Sequence, residues 1–287
     1  MNFSIDQAAP AEGPNARAAS ADTSADLQPR VVTRGETHST IEDTSASAFV
    51  DWLGFSLRLP KGQRQAWLEE AIQSVFRVPR QGWEDTGRGW AGYERRINLG
   101  AYGLLAFGGH AQRETYHVEL NALACRAIED WKAVRLWGET YDASISRADL
   151  AHDNLAAARV SVTGALAWFA EGLFSVGGRP PKGALWDDLE SGAGKTLYVG
   201  SRGAGKLLRV YEKGKQLGDA QSPWVRAEIE LRNKGRRIPW EVTVLPERYF
   251  AGAYPVLGFL SAVQSRLPTV QRAGQISYDA MVKTLRR

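Results

Sequence analysis

The order of hydrophobic patterns predicts an α+β fold, mainly an antiparallel sheet with helices packed on one face, preceded by a disordered N-terminal tail. Three observations carry this. Short segments of two-residue alternation follow one another across glycine-bearing turns, as in a meander. Longer segments with apolar residues three and four apart stand between groups of them. Residues 144–153, 207–213 and 223–232 each place charged or hydroxylated side chains on one phase of the alternation and apolar ones on the other.

Residues 1–45 are rich in Ala, Ser, Thr, Pro, Asp and Glu and have almost no large apolar side chain before Val31. Such a segment cannot offset its ordering entropy and reads as a disordered acidic tail. Residues 46–287 read as one domain with a helix-rich C-terminal part. A first strand spans 48–59, with Phe55, Leu57 and Leu59 in alternation before Pro60. Ala66, Trp67, Ala71, Ile72, Val75 and Phe76 give residues 63–78 a helical spacing that stops before Pro79. Strands are expected at 90–98, 103–108 and 116–120, then a helix at 122–136. A strand at 145–152 and a helix at 156–174 follow, and 177–194 reads as a Gly/Pro-rich connection. Residues 195–200 and 207–213 form a hairpin, and 224–232 is a last strand.

The bulk numbers exclude several classes. With one cysteine, Cys125, the chain has no intramolecular disulfide and no four-thiolate zinc site, which suits a reducing compartment, with the cytoplasm as the default. No apolar run approaches the roughly 20 residues of a membrane span. Residues 1–45 carry three arginines against seven acidic side chains, so the net +4 of the chain resolves into +8 on the rest. A basic folded part points toward a polyanion.

Alternation aligns Arg147, Asp149 and Asp153 on one strand; Arg209, Tyr211 and Lys213 on the next; and Arg226, Glu228, Glu230 and Arg232 on the third. If the apolar faces share a core, these rows converge on one side of one sheet. They then supply what attack on a phosphodiester requires. A phenol titrates near ~10, so it needs a cation beside it, and Arg209 and Lys213 flank Tyr211. Asp149 and Glu228 offer hard oxygens for Mg²⁺ or Mn²⁺. Tyr198 is the competing nucleophile, although Leu197 and Val199 bring no cation to it. Read strand by strand, the same pattern describes the wet side of a sheet with weak cross-strand ion pairs.

The strings 146–153 (SRADLAHD), 196–202 (TLYVGSR) followed by 208–213 (LRVYEK), and 225–231 (VRAEIEL) resemble, in order and spacing, the motif blocks of the rolling-circle replication initiators of small plasmids and filamentous phages. Segments 51–57 and 100–109 extend the resemblance more loosely. The resemblance implies that Tyr211 nicks the origin through a 5′-phosphotyrosine, with Asp149 and Glu228 as metal ligands. Family members often carry a glutamate shortly after the Tyr-x-Lys, where this chain has Gln216, which leaves Glu230 or Asp153 as substitutes for a third acidic ligand. It also implies origin DNA as partner, a homodimer, a host helicase and DNA polymerase, and a bacterial cytoplasm.

Arg147, Arg202, Lys206 and Arg226 are the candidate DNA contacts, with Trp83 and Trp90 the aromatic candidates among ten tryptophans that otherwise fit core patterns. His152, beside Asp153, is a candidate for orienting a metal ligand. Residues 191–196 (SGAGKT) resemble the end of a phosphate-binding loop, but Leu189 stands where its first glycine belongs and a strand pattern follows, so an ATPase is not expected and the glycines read as a turn. Two other functions fit the residues: a DNA-binding regulator that does not nick, and a structural protein with an incidental charged sheet.

Overall fold

The computed structural model describes residues 47–267; the expected tail at 1–45 and the end of the C-terminal part lie outside them. Among the described residues, ten strands form one sheet in the order β2-β3-β4-β5-β1-β6-β10-β9-β8-β7, and every neighbouring pair is antiparallel. The strands are β1 (Phe49–Arg58), β2 (Trp83–Asp85), β3 (Arg95–Leu99), β4 (Gly103–Phe107), β5 (Thr115–Leu120), β6 (Ser144–Asn154), β7 (Gly183–Trp186), β8 (Thr196–Ser201), β9 (Lys206–Glu212) and β10 (Val225–Arg232). The helices are α1 (Gln65–Ser74), α2 (Ala122–Ala127), α3 (Trp131–Thr140), α4 (Val162–Ala170), α5 (Lys213–Gln216) and α6 (Pro246–Ala251).

The same path is traced twice. A long strand leads into a helix and a four-stranded meander whose last strand returns to pair with the first: β1-α1-β2-β3-β4-β5, then β6-α4-β7-β8-β9-β10. The two long strands, β1 and β6, pair at the middle of the sheet, so each half extends outward from that seam.

The core lies on one face. Leu53, Phe55 and Leu57 of β1, Ala148 and Leu150 of β6, Leu208 and Val210 of β9, and Ala227, Ile229 and Leu231 of β10 are buried in one cluster with Leu68, Ile72, Val134, Trp137 and Phe250 from the helices. Phe55 anchors it, stacked on Phe76 at 5.2 Å and edge-on to Trp137 and Trp240 at 5.8 and 5.5 Å. Burying such side chains contributes about 1.5–3 kcal/mol each.

Several elements depart from the sequence reading. The helix expected at 122–136 breaks in two, because Ile128 is extended and Asp130 caps a new helix by accepting from the amides of Lys132 and Ala133 at 2.9 and 3.0 Å. The expected strand at 90–98 begins only at Arg95, since Trp90 and Tyr93 pair with each other in a tight turn. The helix expected at 156–174 starts at Val162, where the Ser161 hydroxyl accepts from the Gly164 amide at 3.0 Å. Strand β7 lies inside the stretch read as connection, and the short strand β2 was not anticipated.

Candidate active site on the open face of the sheet

Strand register decides which side chains meet. Across β7-β8-β9-β10-β6, cross-strand partners run Trp186–Thr196–Tyr211–Arg226–Asp153, and the next row runs Ala184–Tyr198–Arg209–Glu228–Ala151. A third row holds Leu207, Glu230 and Asp149, with Trp52 of β1 beyond it. All of these point away from the helices, so the three polar rows do share one surface. Cross-strand neighbours stand roughly 4.5–5.5 Å apart at Cβ, which is contact distance for long polar side chains.

Tyr211 donates its hydroxyl hydrogen to Glu228 Oε2 at 3.1 Å. Arg209 Nη2 reaches Glu228 Oε1 at 2.5 Å and Asp149 Oδ2 at 3.3 Å, so one guanidinium stands between the two carboxylates. Arg147 grips Asp149 from the other side with two hydrogen bonds of 2.8 and 2.6 Å. Glu230 lies among Arg147, Arg202, Arg209 and Arg232 at 3.7, 3.1, 3.7 and 2.5 Å. At the far end of β10, Arg226 bonds Asp153 twice, at 2.7 and 2.8 Å, and Asp51 once, at 3.1 Å.

These charges are buried, so they hold together only as a matched set. Burial pushes the Asp149 carboxyl up to about 6 against the pull of Arg147, with the charges of Glu230 and Glu228 adding to the rise. Burial also pushes Glu230 upward, but its four arginines overcome that and bring it down to about 2. The Tyr211 phenol is raised well above its ordinary range by burial and by the charge of Glu228, so it carries its proton at neutral pH.

The remaining candidates distribute over both faces. Lys213 opens α5 just past β9, with its ammonium 5.9 Å from the centre of the Tyr211 ring. Tyr198 sits opposite Arg209 on the same face, and burial raises its phenol too. Arg226 is 1% exposed, within the network rather than on its surface. Arg202 reaches the network from the β8–β9 turn and is partly exposed. Lys206 points to the helix side, where its ammonium donates to the Ala253 carbonyl and sits 3.8 Å from the centre of the Tyr254 ring. His152 also faces the helices, packing against Phe250 and Phe259, so it orients nothing at Asp149 or Glu228.

Two residues at the network were not anticipated. Asp51 reaches Arg226 because a bulge between Val50 and Trp52 shifts the phase of β1. Its signal in the sequence is a lone carboxylate within an apolar strand. Trp52 packs under the Arg147 guanidinium at 4.6 Å and donates to Glu119 at 2.6 Å, extending the network into the first half of the sheet. There Glu119 meets His117 at 3.3 Å, and Trp90 stacks on the imidazole at 5.0 Å. Trp83 lies apart from this site, with Arg80 over its ring at 4.4 Å.

The glycine-rich loop before β8 does not cradle a phosphate. The Asp188 carboxylate takes the amides of Glu190 and Gly194 at 3.1 and 2.8 Å, and Lys195 pairs with Asp187 at 2.9 Å.

Among the described residues no three His, Cys, Asp or Glu side chains gather as a metal cluster, and no helix is long and apolar enough to cross a membrane. Asp149 and Glu228 nonetheless share a cation, Arg209, so two hard-oxygen donors already face one positive charge. That donor set fits an ion that takes its other ligands from water and phosphate, as Mg²⁺ does.

Comparison with known proteins bears on the same strands. A search of curated protein sequences returns no match. The rolling circle replication initiator protein from Geobacillus stearothermophilus shares the fold, with a TM-score of 0.57 and 19% identity over 82% of this chain and 90% of that one. Residues 143–284 match the family of replication initiation factors, and this segment carries β6, β9, β10 and the whole Tyr211–Glu228–Arg209–Asp149 arrangement. Over that segment, just under half of its length, the chain is similar to the replication initiation factor family.

Proposed function

We propose that this chain starts rolling-circle replication by nicking and rejoining DNA at an origin, with Tyr211 as the nucleophile. One observation carries the reading: the Tyr211 hydroxyl is bonded to Glu228, whose other oxygen shares Arg209 with Asp149, all within the family-matched segment. Tyr198 has a cation opposite it but no hydrogen bond to a carboxylate.

In the proposed step the Tyr211 oxygen attacks phosphorus and the bond from phosphorus to O3′ breaks, leaving a 5′-phosphotyrosine and a free 3′ end. The phenol is neutral at physiological pH, so its proton must leave as the new bond forms, and Glu228 Oε2 is positioned to take it. The departing 3′ oxygen takes a proton from water and becomes the hydroxyl that primes synthesis. Arg209 and Lys213 offset the charge that grows on the phosphate oxygens. Asp149 and Glu228 would hold Mg²⁺ or Mn²⁺, which when bound supplies Lewis-acid polarisation of the phosphate. Rejoining reverses the sequence with an incoming 3′-hydroxyl.

The proposal treats residues 46–287 as one nicking unit acting in a bacterial cytoplasm, on plasmid or phage DNA. A homodimer at initiation and a host helicase and polymerase afterward belong to the same reading.

The test is covalent trapping on labelled oligonucleotides tiled across the replicon that encodes the chain. Wild type and Tyr198→Phe should give a denaturation-resistant protein–DNA band that chelator removes, and Tyr211→Phe should give none. A band that survives Tyr211→Phe moves the nucleophile elsewhere. Salt-sensitive binding without a band from any protein favours a non-nicking regulator.

A further inference from the structure

Beside Tyr211 lies a cavity of about 410 Å³, within the ~300–1,000 Å³ range of small-ligand sites. Its walls include Trp186, Lys195, Thr196, Tyr211, Glu212 and Lys215. Trp186, Thr196 and Tyr211 are consecutive members of one cross-sheet row, so an indole and a phenol stand either side of a threonine hydroxyl. The indole comes from β7, the strand at the edge of the sheet.

The charges around this cavity are already matched. Lys215 pairs with Glu212 Oε1 at 2.9 Å, while Glu212 Oε2 accepts the amide of Lys195 at 2.8 Å. The Lys195 ammonium pairs with Asp187, and the amides of the glycine-rich loop close on Asp188. A phosphate entering here would have to displace a carboxylate of the chain itself. A flat, uncharged ring displaces none of them, and it gains aromatic walls and a hydroxyl that both donates and accepts.

We infer that this cavity takes the nucleobase adjoining the scissile phosphate, with Trp186 as its stacking platform and Thr196 as the group that reads its edge. The inference rests on the nicking reading, since it is Tyr211 on the cavity wall that places the scissile phosphate beside it. Trp186 and Thr196 then become specificity-determining residues. The SGAGKT segment gains a role as well, because it holds the cavity's shape through its own carboxylate partners.

The test reads binding without bond cleavage. In the full chain carrying 5-fluorotryptophan, the fluorine resonance of Trp186 is assigned by its loss in Trp186→Phe. At least one of dAMP, dCMP, dGMP and dTMP should move that resonance, and 2-deoxyribose 5-phosphate should leave it in place. By calorimetry, affinity for the responding nucleotide should fall roughly tenfold in Trp186→Ala and hold within about twofold in Trp186→Phe, as expected for loss and retention of a stacking ring. An equal response to the sugar phosphate, or no response to any nucleotide, overturns the inference. A chain that binds a base here yet never forms the covalent adduct loses the nicking reading but keeps the pocket. One that forms the adduct with a silent Trp186 loses only the pocket.

Discussion

Glu230 is surrounded by four guanidinium groups, and the pH dependence of stability follows from that. Its ordinary pKa of 4.5 falls to about 2 in the folded chain, so the unfolded chain binds the proton more tightly. The stabilisation is therefore present above pH 4.5 and is lost as pH falls toward 2, by about 3 kcal/mol. Asp149 acts in the opposite sense: raised from 3.8 to about 6, its contribution is complete below 3.8 and lost as pH rises through 6. Urea unfolding should show wild type weakening between pH 4.5 and 2, and Glu230→Gln should flatten that limb, being less stable than wild type above pH 4.5 and converging with it toward pH 2. A limb of unchanged slope in the variant would assign the acid sensitivity to other groups. At this scale the sequence was informative wherever alternation held. Arg209, Tyr211, Glu228 and Asp149 could be placed on one face by counting in twos, and the register puts them there. Asp51 could not be placed that way, because the bulge in β1 depends on pairing with a strand about a hundred residues away.

Helix α3 shows what a single position can decide for an element. Gly138 faces Trp240 so closely that a Cβ would stand 2.1 Å from the indole, which is itself fixed by donating to the Ala143 carbonyl at 2.6 Å. Gly138→Ala gains about 1 kcal/mol of helix propensity but must push that ring aside, so the net effect is a loss of roughly 1–2 kcal/mol by chemical denaturation. A neutral outcome would mean that the indole can shift freely. The elements missed or misplaced in the sequence reading have a common cause. Residues 122–136 keep helical spacing straight through the break at Ile128, because Asp130 suits a helix start as well as a helix interior turn. Strand β7 follows Pro180-Pro181 and spans four residues, too few for alternation to register; it is a strand because β8 offers it a partner.

The repeated path through the sheet is evident only in the strand order. It has a consequence for the family-matched segment, which begins at residue 143, at the seam between halves. Residues 143–287 expressed alone would leave the eleven residues of β6 without β1, exposing a long unpaired backbone edge. That fragment should aggregate or stay unfolded by circular dichroism, and co-expression with residues 47–142 should recover a soluble complex. A fragment that folds by itself would show the seam to be dispensable. The outer margins of the intact sheet present the opposite situation. β2 and β7 close its two ends with three and four residues, a template too brief for a visiting chain to zip onto. Edge-to-edge growth into fibres is thereby disfavoured at both ends of the sheet.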